Sequence, residues 1–462
     1  MIEIKISGAG AGKTYGLSEK LINCSFNFPD KIIYAITYTN SAKKKISNTI
    51  NERLGYIPSN IIIETVHSFL LNEIIFPYSK FILSDYYNKA VSFKLPDENR
   101  YKNAKKTQLK AKNIIHNEDV FNVSKRLIDK TNPLHSNKIK KQKVELIINH
   151  ISCKISHIFI DEAQDLDLDA LKIFEILGKN NIDIHIIGDP KQAIKYPTDF
   201  ENFLKSKIED ENFNFLEVEN LTRRVPNKIL EISNLFCPTG QEQKHYKDKE
   251  GGIFYLCNDN PEFESIIQYY KSEKKLIYIE KRQGNYNTHL QKELYLPISI
   301  LERLRALKEI SKYDFELLIK SIELGIQDDL NYLEPLVIIR TFYKKYGIQY
   351  EKSEYAEFIS LLNNNKQHSN TDLIVSSIDA VKGLESDVCL FILNQTMYKY
   401  LLQEIPSKNE HNKVWKKLYV ALTRSSDKLI LVIDSNLFPI TKLHDIKLSL
   451  EKLNIIEVKS II

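Results

Sequence analysis

Three short segments carry residue types that could bind and cleave a nucleoside triphosphate. Ser7-Gly8-Ala9-Gly10-Ala11-Gly12-Lys13-Thr14 follows an apolar, β-rich run and opens a helical pattern, which is the context a phosphate-binding loop requires. Gly8, Gly10 and Gly12 let successive backbone N–H groups converge on phosphate oxygens, and the helix N-terminus adds partial positive charge. Lys13 would neutralise the β- and γ-phosphates while the Thr14 hydroxyl ligates Mg²⁺. A glycine-rich turn that binds nothing is the bland alternative, and Gly-Lys-Thr directly after a strand argues against it. Ile158-Phe159-Ile160-Asp161-Glu162-Ala163-Gln164-Asp165 is an apolar strand that delivers carboxylates at its C-terminal end. There Asp161 could hold Mg²⁺ through water and Glu162 could polarise the attacking water; the competing reading is an acidic loop that caps the next helix. Ile186-Ile187-Gly188-Asp189-Pro190-Lys191-Gln192 repeats the strand-then-polar-turn geometry, and the neutral Gln192 amide could sense a γ-phosphate without trapping the product.

These segments need a sheet to hold them. Short apolar runs at Ile2–Ser7, Ile32–Thr37 and Ile61–Thr65 alternate with helical patterns that begin at Lys13 and Asn40, a βαβ rhythm that predicts a parallel sheet. The rhythm resumes at His157–Ile160, Ile182–Ile187, Gly252–Leu256, Leu276–Ile279, Leu373–Ser376, Val388–Leu393 and Leu429–Ile433, enough strands for two α/β cores. The expected partition is a first core of residues 1–67 and 151–218, interrupted by a helical, lysine-rich insertion at 68–150. A second core of 219–285 and 370–462 follows, interrupted by a short helical insertion at 286–369, where Leu301, Leu304, Leu307 and Ile310 recur at spacings of three. Asn363–Asn365 reads as a turn.

Composition bounds the answer loosely. The chain has 462 residues, and 65 Lys plus Arg against 60 Asp plus Glu leave +5, too mild to announce a polyanion partner. Five scattered cysteines form no zinc-type spacing and read as free thiols of a reducing cytoplasm. No apolar run approaches the ~18 residues of a membrane span, and the amino terminus is too charged for a signal peptide, so a soluble cytoplasmic protein without a membrane partner is expected.

Taken in order, the three segments resemble those of the superfamily 1 helicases of UvrD/Rep/PcrA type, and the resemblance continues past the phosphate loop. Thr37-Tyr38-Thr39-Asn40 looks like that family's T-F-T-N segment, and Glu64-Thr65-Val66-His67-Ser68-Phe69 is similar to its G-T-F-H segment. Both contact single-stranded DNA in the family, which implies such a role for Tyr38, Asn40, Thr65 and His67. Ser377-Ile378-Asp379-Ala380-Val381-Lys382-Gly383-Leu384-Glu385 resembles T-x-H-x-x-K-G-L-E, and Leu418-Tyr419-Val420-Ala421-Leu422-Thr423-Arg424 resembles the Y-V-A-x-T-R box. By this resemblance Arg424 is an arginine finger, Gly383 and Glu385 lie near the ribose, and Arg224 of Thr222-Arg223-Arg224 is a second γ-phosphate arginine, with a register that could slip to Arg223. The implied fold is α/β, two RecA-like parallel-sheet cores of the P-loop NTPase kind with helical insertions. The implied activity is Mg-ATP hydrolysis coupled to 3′-to-5′ movement on single-stranded DNA and DNA junctions.

Several positions depart from the family. Only six residues precede Ser7, where the family carries an adenine-reading glutamine segment, and Arg223 stands where the family has an adenine-stacking tyrosine; a guanidinium could stack there instead. Tyr196 either replaces the family's DNA-stacking tryptophan or is a core tyrosine. Asp379 replaces a histidine, and the second insertion is much reduced. The lysines between 102 and 143 could bind duplex phosphates or simply form a solvated helical face. The compact size and missing segment motivate a second expectation: a DNA-sensing ATPase subunit that controls a nuclease partner, as in Gabija-type antiphage systems. The pathway stays open among repair, replication, mobile-element maintenance and defence.

Overall fold

The computed structural model describes residues 1–461 other than 84–85, 89, 94, 97–98, 136, 289–293, 307–311, 331, 350, 367–372, 406–411 and 439–442. The chain forms two compact units, the first made of Met1–Ile82, Phe121–Thr288 and Val375–Ile462, the second of Leu83–Val120 and His289–Ile374.

The first unit contains both large sheets. One comprises β1 (Ile2–Ile6), β2 (Ile32–Thr37), β3 (Ile61–Thr65), β4 (Ile155–Ile160), β5 (Asp183–Gly188) and β6 (Phe213–Phe215), in the order β3-β2-β4-β5-β1-β6 with every pair parallel. The nearly continuous burial of β2 and β4 suits strands covered on both faces, whereas β1 alternates isoleucine with Glu3 and Lys5. Helices α1 (Lys13–Asn27) and α2 (Asn40–Leu54) cover one face through Leu17, Leu21, Ile46 and Ile50, which pack on Ile33, Ile63 and Phe159. All three candidate loops leave the carboxyl ends of β1, β4 and β5, the edge at which open α/β sheets bind ligands.

The other sheet comprises β7 (Gly252–Cys257), β8 (Leu276–Ile279), β9 (Ser376–Ser377), β10 (Ser386–Ile392), β11 (Ser425–Ile433) and β12 (Ile456–Glu457). Its order is β9-β8-β10-β11-β7-β12, again parallel throughout. Helix α3 (Lys413–Leu422) precedes β11, and the turn between them carries Thr423 and Arg424. Two six-stranded parallel sheets with helices are the architecture of paired RecA-like cores.

Several sequence expectations change here. The edge strands β6 and β12 were not anticipated, because two or three half-exposed residues make no periodic signal. The single strand expected at Leu373–Ser376 is two, Leu373–Ile374 and Ser376–Ser377, of which only the latter joins the large sheet. Asn363–Asn365 lies inside a helix, Lys352–Lys366, whose buried Phe358 and Leu362 outweigh the poor helix propensity of asparagine.

The insertion boundaries also move. Of residues 68–150, only 83–120 leave the first unit; helix Lys138–Lys154 buries Val144, Ile147, Ile148 and Ile151 there and runs directly into β4. Residues 83–120 and 289–374 form one body rather than two. Its core includes Leu296, Ile300, Leu304, Ile339, Phe342 and Phe358, and Lys105 of the earlier segment pairs with Glu357 of the later one at 3.0 Å. Leu301 and Leu304 pack into that core as their spacing suggests, while Leu307 and Ile310 lie outside the described residues. Among the described residues no helix is long and apolar enough to cross a membrane.

Candidate nucleotide site

The phosphate loop is built by backbone conformation. Gly10 (φ +70°) and Gly12 (φ +79°) are left-handed, a region that penalises any side chain. At Gly10 a Cβ would also fall 2.6 Å from Thr222 Oγ1. Gly12 caps α1 without a side-chain acceptor, so no side chain competes for the first N–H groups of the helix. Lys13 Nζ is buried, lies 3.7 Å from Glu162 Oε1, and makes no hydrogen bond among the described residues. Burial works against its charge, yet Glu162, Asp189 and Asp161 together hold its pKa above the ordinary value. A buried ammonium with three unmade hydrogen bonds is expensive alone and suits a site whose acceptors arrive with a ligand.

At the end of β4, burial and the neighbouring Glu162 charge push the Asp161 carboxyl above the ordinary range, while its Oδ1 accepts the Glu162 N–H at 3.0 Å. Burial would raise Glu162 too, but Lys13 and Lys382 outweigh it and pull that carboxyl down. Glu162 is itself left-handed (φ +58°), a conformation that turns its side chain from the strand into the cleft at some steric cost. Thr14 and Glu162 both line the cleft. A hydroxyl, a buried carboxylate and a second carboxylate form a hard, oxygen-only donor set that fits Mg²⁺.

Beyond β5, Asp189 caps the turn at Pro190–Gln192 and pairs with the fully buried Lys191 at 3.0 Å. Asp189 Oδ2 accepts from Gln192 Nε2 at 2.9 Å, which fixes the amide and presents Gln192 Oε1 to Arg424 Nη2 at 3.2 Å. That contact crosses from the first sheet to the second. Arg424, 1% exposed, also donates to the carbonyls of Val420 (2.9 Å) and Leu384 (3.4 Å) and to Thr423 Oγ1 (3.2 Å). Burial, then the adjacent Arg224, lowers its pKa to about 10, which leaves it cationic at neutral pH. Arg224 forms an ion pair with Glu385, and its buried Nε has no partner among the described residues. Lys382 crosses the cleft to pair with Asp165.

The cleft, open to solvent, has a volume of about 410 Å³ and is lined by Gly10, Gly12, Lys13, Thr14, Glu162 and Gln192 on one side and by Arg223, Arg224, Gly383, Glu385 and Arg424 on the other. Gly8 and Asp161 are not among the lining residues: Gly8 is covered by Gln243, and Asp161 is 4% exposed. Both Arg223 and Arg224 reach the cleft, through different contacts. The Arg223 backbone N–H donates to Gly10 O at 3.0 Å and its guanidinium lies 5.3 Å from the Tyr246 ring, while Arg224 holds Glu385. Sequence reasoning missed Tyr15, Ser426 and the trio Lys45, Thr49 and Glu52, all of which line the cleft. The trio recurs at spacings of four and three on α2, a helical face that could have been read out.

Tyr38, Thr65, His67 and Tyr196 do not line this cleft. Tyr38 and Thr65 sit at the carboxyl ends of β2 and β3, and Asn40 is exposed at the start of α2. Tyr38 meets His67 edge-on with centroids 5.9 Å apart, and Lys195 Nζ lies 4.3 Å from the Tyr38 ring and 5.2 Å from that of Tyr196. Burial lowers the His67 pKa, which favours the neutral ring. The Thr65 hydroxyl is engaged as a helix cap by Ser68 N at 3.3 Å. Asp379 does not stand as a bare negative charge, since Lys417 pairs with it at 3.2 Å. Some lysines of the 102–143 stretch form ion pairs, Lys106 with Asp119, Lys125 with Asp169 and Lys130 with Glu145.

Comparison with known proteins agrees with this geometry. A family model described as an AAA domain matches residues 2–197. The chain is also similar to the Gabija protein GajB of Bacillus cereus (strain VD045), 27% identical over 497 residues that cover 93% of this chain and 92% of that protein. Phosphate loop, paired parallel sheets and similarity along most of the chain all support one likeness: the chain resembles the superfamily 1 helicase-like ATPases of UvrD/Rep/PcrA type.

Proposed function

We propose that the chain is a Mg-ATP-dependent translocase on single-stranded DNA. The observation that carries this reading is the opposition across one cleft of Lys13, Glu162 and Gln192 to Arg224 and Arg424. Lys13 and the N–H groups of the loop take up the β- and γ-phosphates, Glu162 orients and deprotonates the attacking water, and Arg424 and Arg224 stabilise charge on the transferring phosphoryl group. Mg²⁺, held by Thr14 and through water by Asp161, would supply further charge neutralisation. Arg223 and Tyr15 flank the cleft mouth as aromatic and guanidinium surfaces for the base. Loss of the γ-phosphate removes the charge that draws the arginines toward the first sheet, so hydrolysis changes how the two sheets attract one another. Tyr38, Lys195, Tyr196 and His67 supply stacking and cationic contacts to a strand. Movement 3′ to 5′ is proposed on the resemblance of Lys382-Gly383-Leu384-Glu385 to the UvrD-branch segment. An ATPase assay with and without single-stranded oligonucleotide tests the reading: stimulation supports it, and wild-type hydrolysis indifferent to DNA sinks it.

A second reading is favoured by the near full-length similarity to a Gabija protein. The same cleft would then serve as a DNA-sensing ATPase that regulates a nuclease partner. Co-purification with a nuclease encoded beside this gene supports it, and robust unwinding by the chain alone counts against it.

A further inference from the structure

Gln243 belongs to none of the segments that carry the family resemblance, yet it touches the phosphate loop. Its side chain is 1% exposed. Nε2 donates to Ala9 O at 2.9 Å, and Oε1 accepts from Tyr419 Oη, itself fully buried on α3, at 2.7 Å. The residue is held from behind as well, since its own N–H donates to Asn234 Oδ1 at 2.8 Å. At Gly8 a Cβ would approach Gln243 Cδ to 2.6 Å, so the loop is glycine here because the amide lies against it.

A trans peptide points its C=O and its N–H in opposite directions. No cis peptide occurs among the described residues, so holding the Ala9 carbonyl against Gln243 turns the Gly10 N–H to the opposite side of the peptide plane. The next peptide is also held, because Gly10 O accepts the Arg223 N–H at 3.0 Å while the Ala11 N–H turns back to Gly8 O at 3.5 Å. Gly10 and Ala11 both line the cleft. Two consecutive peptides of the loop are therefore fixed by groups that lie after the first sheet in sequence, and the one that aims the Gly10 N–H is tied to the helix that leads into Arg424.

We propose that Gln243 is a positioning residue: its amide, set by Tyr419, locks the Ala9–Gly10 peptide so that the Gly10 N–H faces the nucleotide phosphates. The inference rests on the reading of the cleft as an ATP site and adds that the anion-binding loop is completed from the second sheet's side. Gln243→Met keeps the volume and removes both hydrogen bonds; Tyr419→Phe removes one hydroxyl and leaves the amide.

The test is direct titration of a fluorescent ATP analogue without DNA, with steady-state hydrolysis of Mg-ATP alongside. The expected result for Gln243→Met is a roughly tenfold rise in Kd and KM with kcat within about threefold of wild type, the low end of the range for one hydrogen bond to a charged group. Tyr419→Phe should move KM in the same direction by less, and the double variant should be no weaker than Gln243→Met, because both changes act through one amide. Wild-type affinity in Gln243→Met, or losses that add in the double variant, overturns the proposal. Should Gln243→Met melt early, Tyr419→Phe decides, since unchanged affinity there in a protein of wild-type Tm is refuting. Lys13→Ala serves as the independent arm: if that variant still binds the analogue, it is the ATP-site reading that has failed.

Discussion

Replacing Arg424 with alanine separates catalysis from architecture, because the side chain has a role in each. Its guanidinium makes four hydrogen bonds, to Val420 O, Leu384 O, Thr423 Oγ1 and Gln192 Oε1. Only the last reaches a candidate catalytic group. An arginine finger is worth about 10³–10⁵ in rate, which at about 1.4 kcal/mol per tenfold is about 4–7 kcal/mol of transition-state stabilisation. Stability should fall as well, by about 3–5 kcal/mol, because truncation strands buried carbonyls that the cation had satisfied. Arg424→Lys keeps a charge without the planar fork, so it should recover part of the stability and little of the rate. The assay is single-turnover hydrolysis of Mg-ATP, paired with nucleotide titration and a denaturant melt on each variant. If Arg424→Ala hydrolyses within tenfold of wild type while still binding nucleotide, the arginine is structural only and the catalytic assignment is wrong.

Other variants address the remaining parts of the site. Wild-type protein at a hundred times the Kd for Mg-ATP should gain about 2.7 kcal/mol in stability, and Lys13→Ala should show no ligand-dependent shift in Tm. Glu162→Gln should lower turnover by about 10²–10⁴ with nucleotide affinity retained, a split that binding and rate measurements on one preparation reveal. Tyr38→Ala and Tyr196→Ala should each weaken single-stranded DNA by about 1–3 kcal/mol in fluorescence anisotropy while basal hydrolysis persists; unchanged DNA affinity in both would remove the aromatic cluster from the strand path. Glu175 is buried among Lys207 (2.9 Å), Lys179 (3.0 Å) and Lys172 (3.3 Å), which overcome the effect of burial and hold its carboxyl below the ordinary range. A depressed folded-state pKa stabilises above the unfolded carboxylate pKa of about 4.3 and loses that contribution as pH falls through the lower value, so Glu175→Gln should flatten the acid limb of a Tm-versus-pH curve.

What could be read from the chain alone follows from the range of the interactions involved. The phosphate loop and the Asp161-Glu162 strand end lie in contiguous segments whose local pattern fixes the element and suggests the role, while the role of Arg424 came from the resemblance of its segment. The two sheets were legible for the same reason, as continuous apolar runs between helical patterns. Edge strands such as Phe213–Phe215 were not, because so few residues carry no period. The merging of 83–120 with 289–374 was equally invisible, since it depends on which apolar faces meet across the 168 residues of intervening chain. Gln243 illustrates the hardest case: a lone glutamine in a polar loop gives no local hint that both ends of its amide will be claimed by distant partners.

The ion pair between Asp189 and Lys191 has a bearing on how this protein can vary. Neither side chain retains any solvent contact, and the ammonium lies 5.6 Å from the centre of the Tyr419 ring. Losing one member leaves a dehydrated charge, at about 3–5 kcal/mol, whereas exchanging both for hydrocarbon of similar shape is often harmless. Evolution should therefore treat positions 189 and 191 as one inherited block, and orthologues ought to differ at both or at neither.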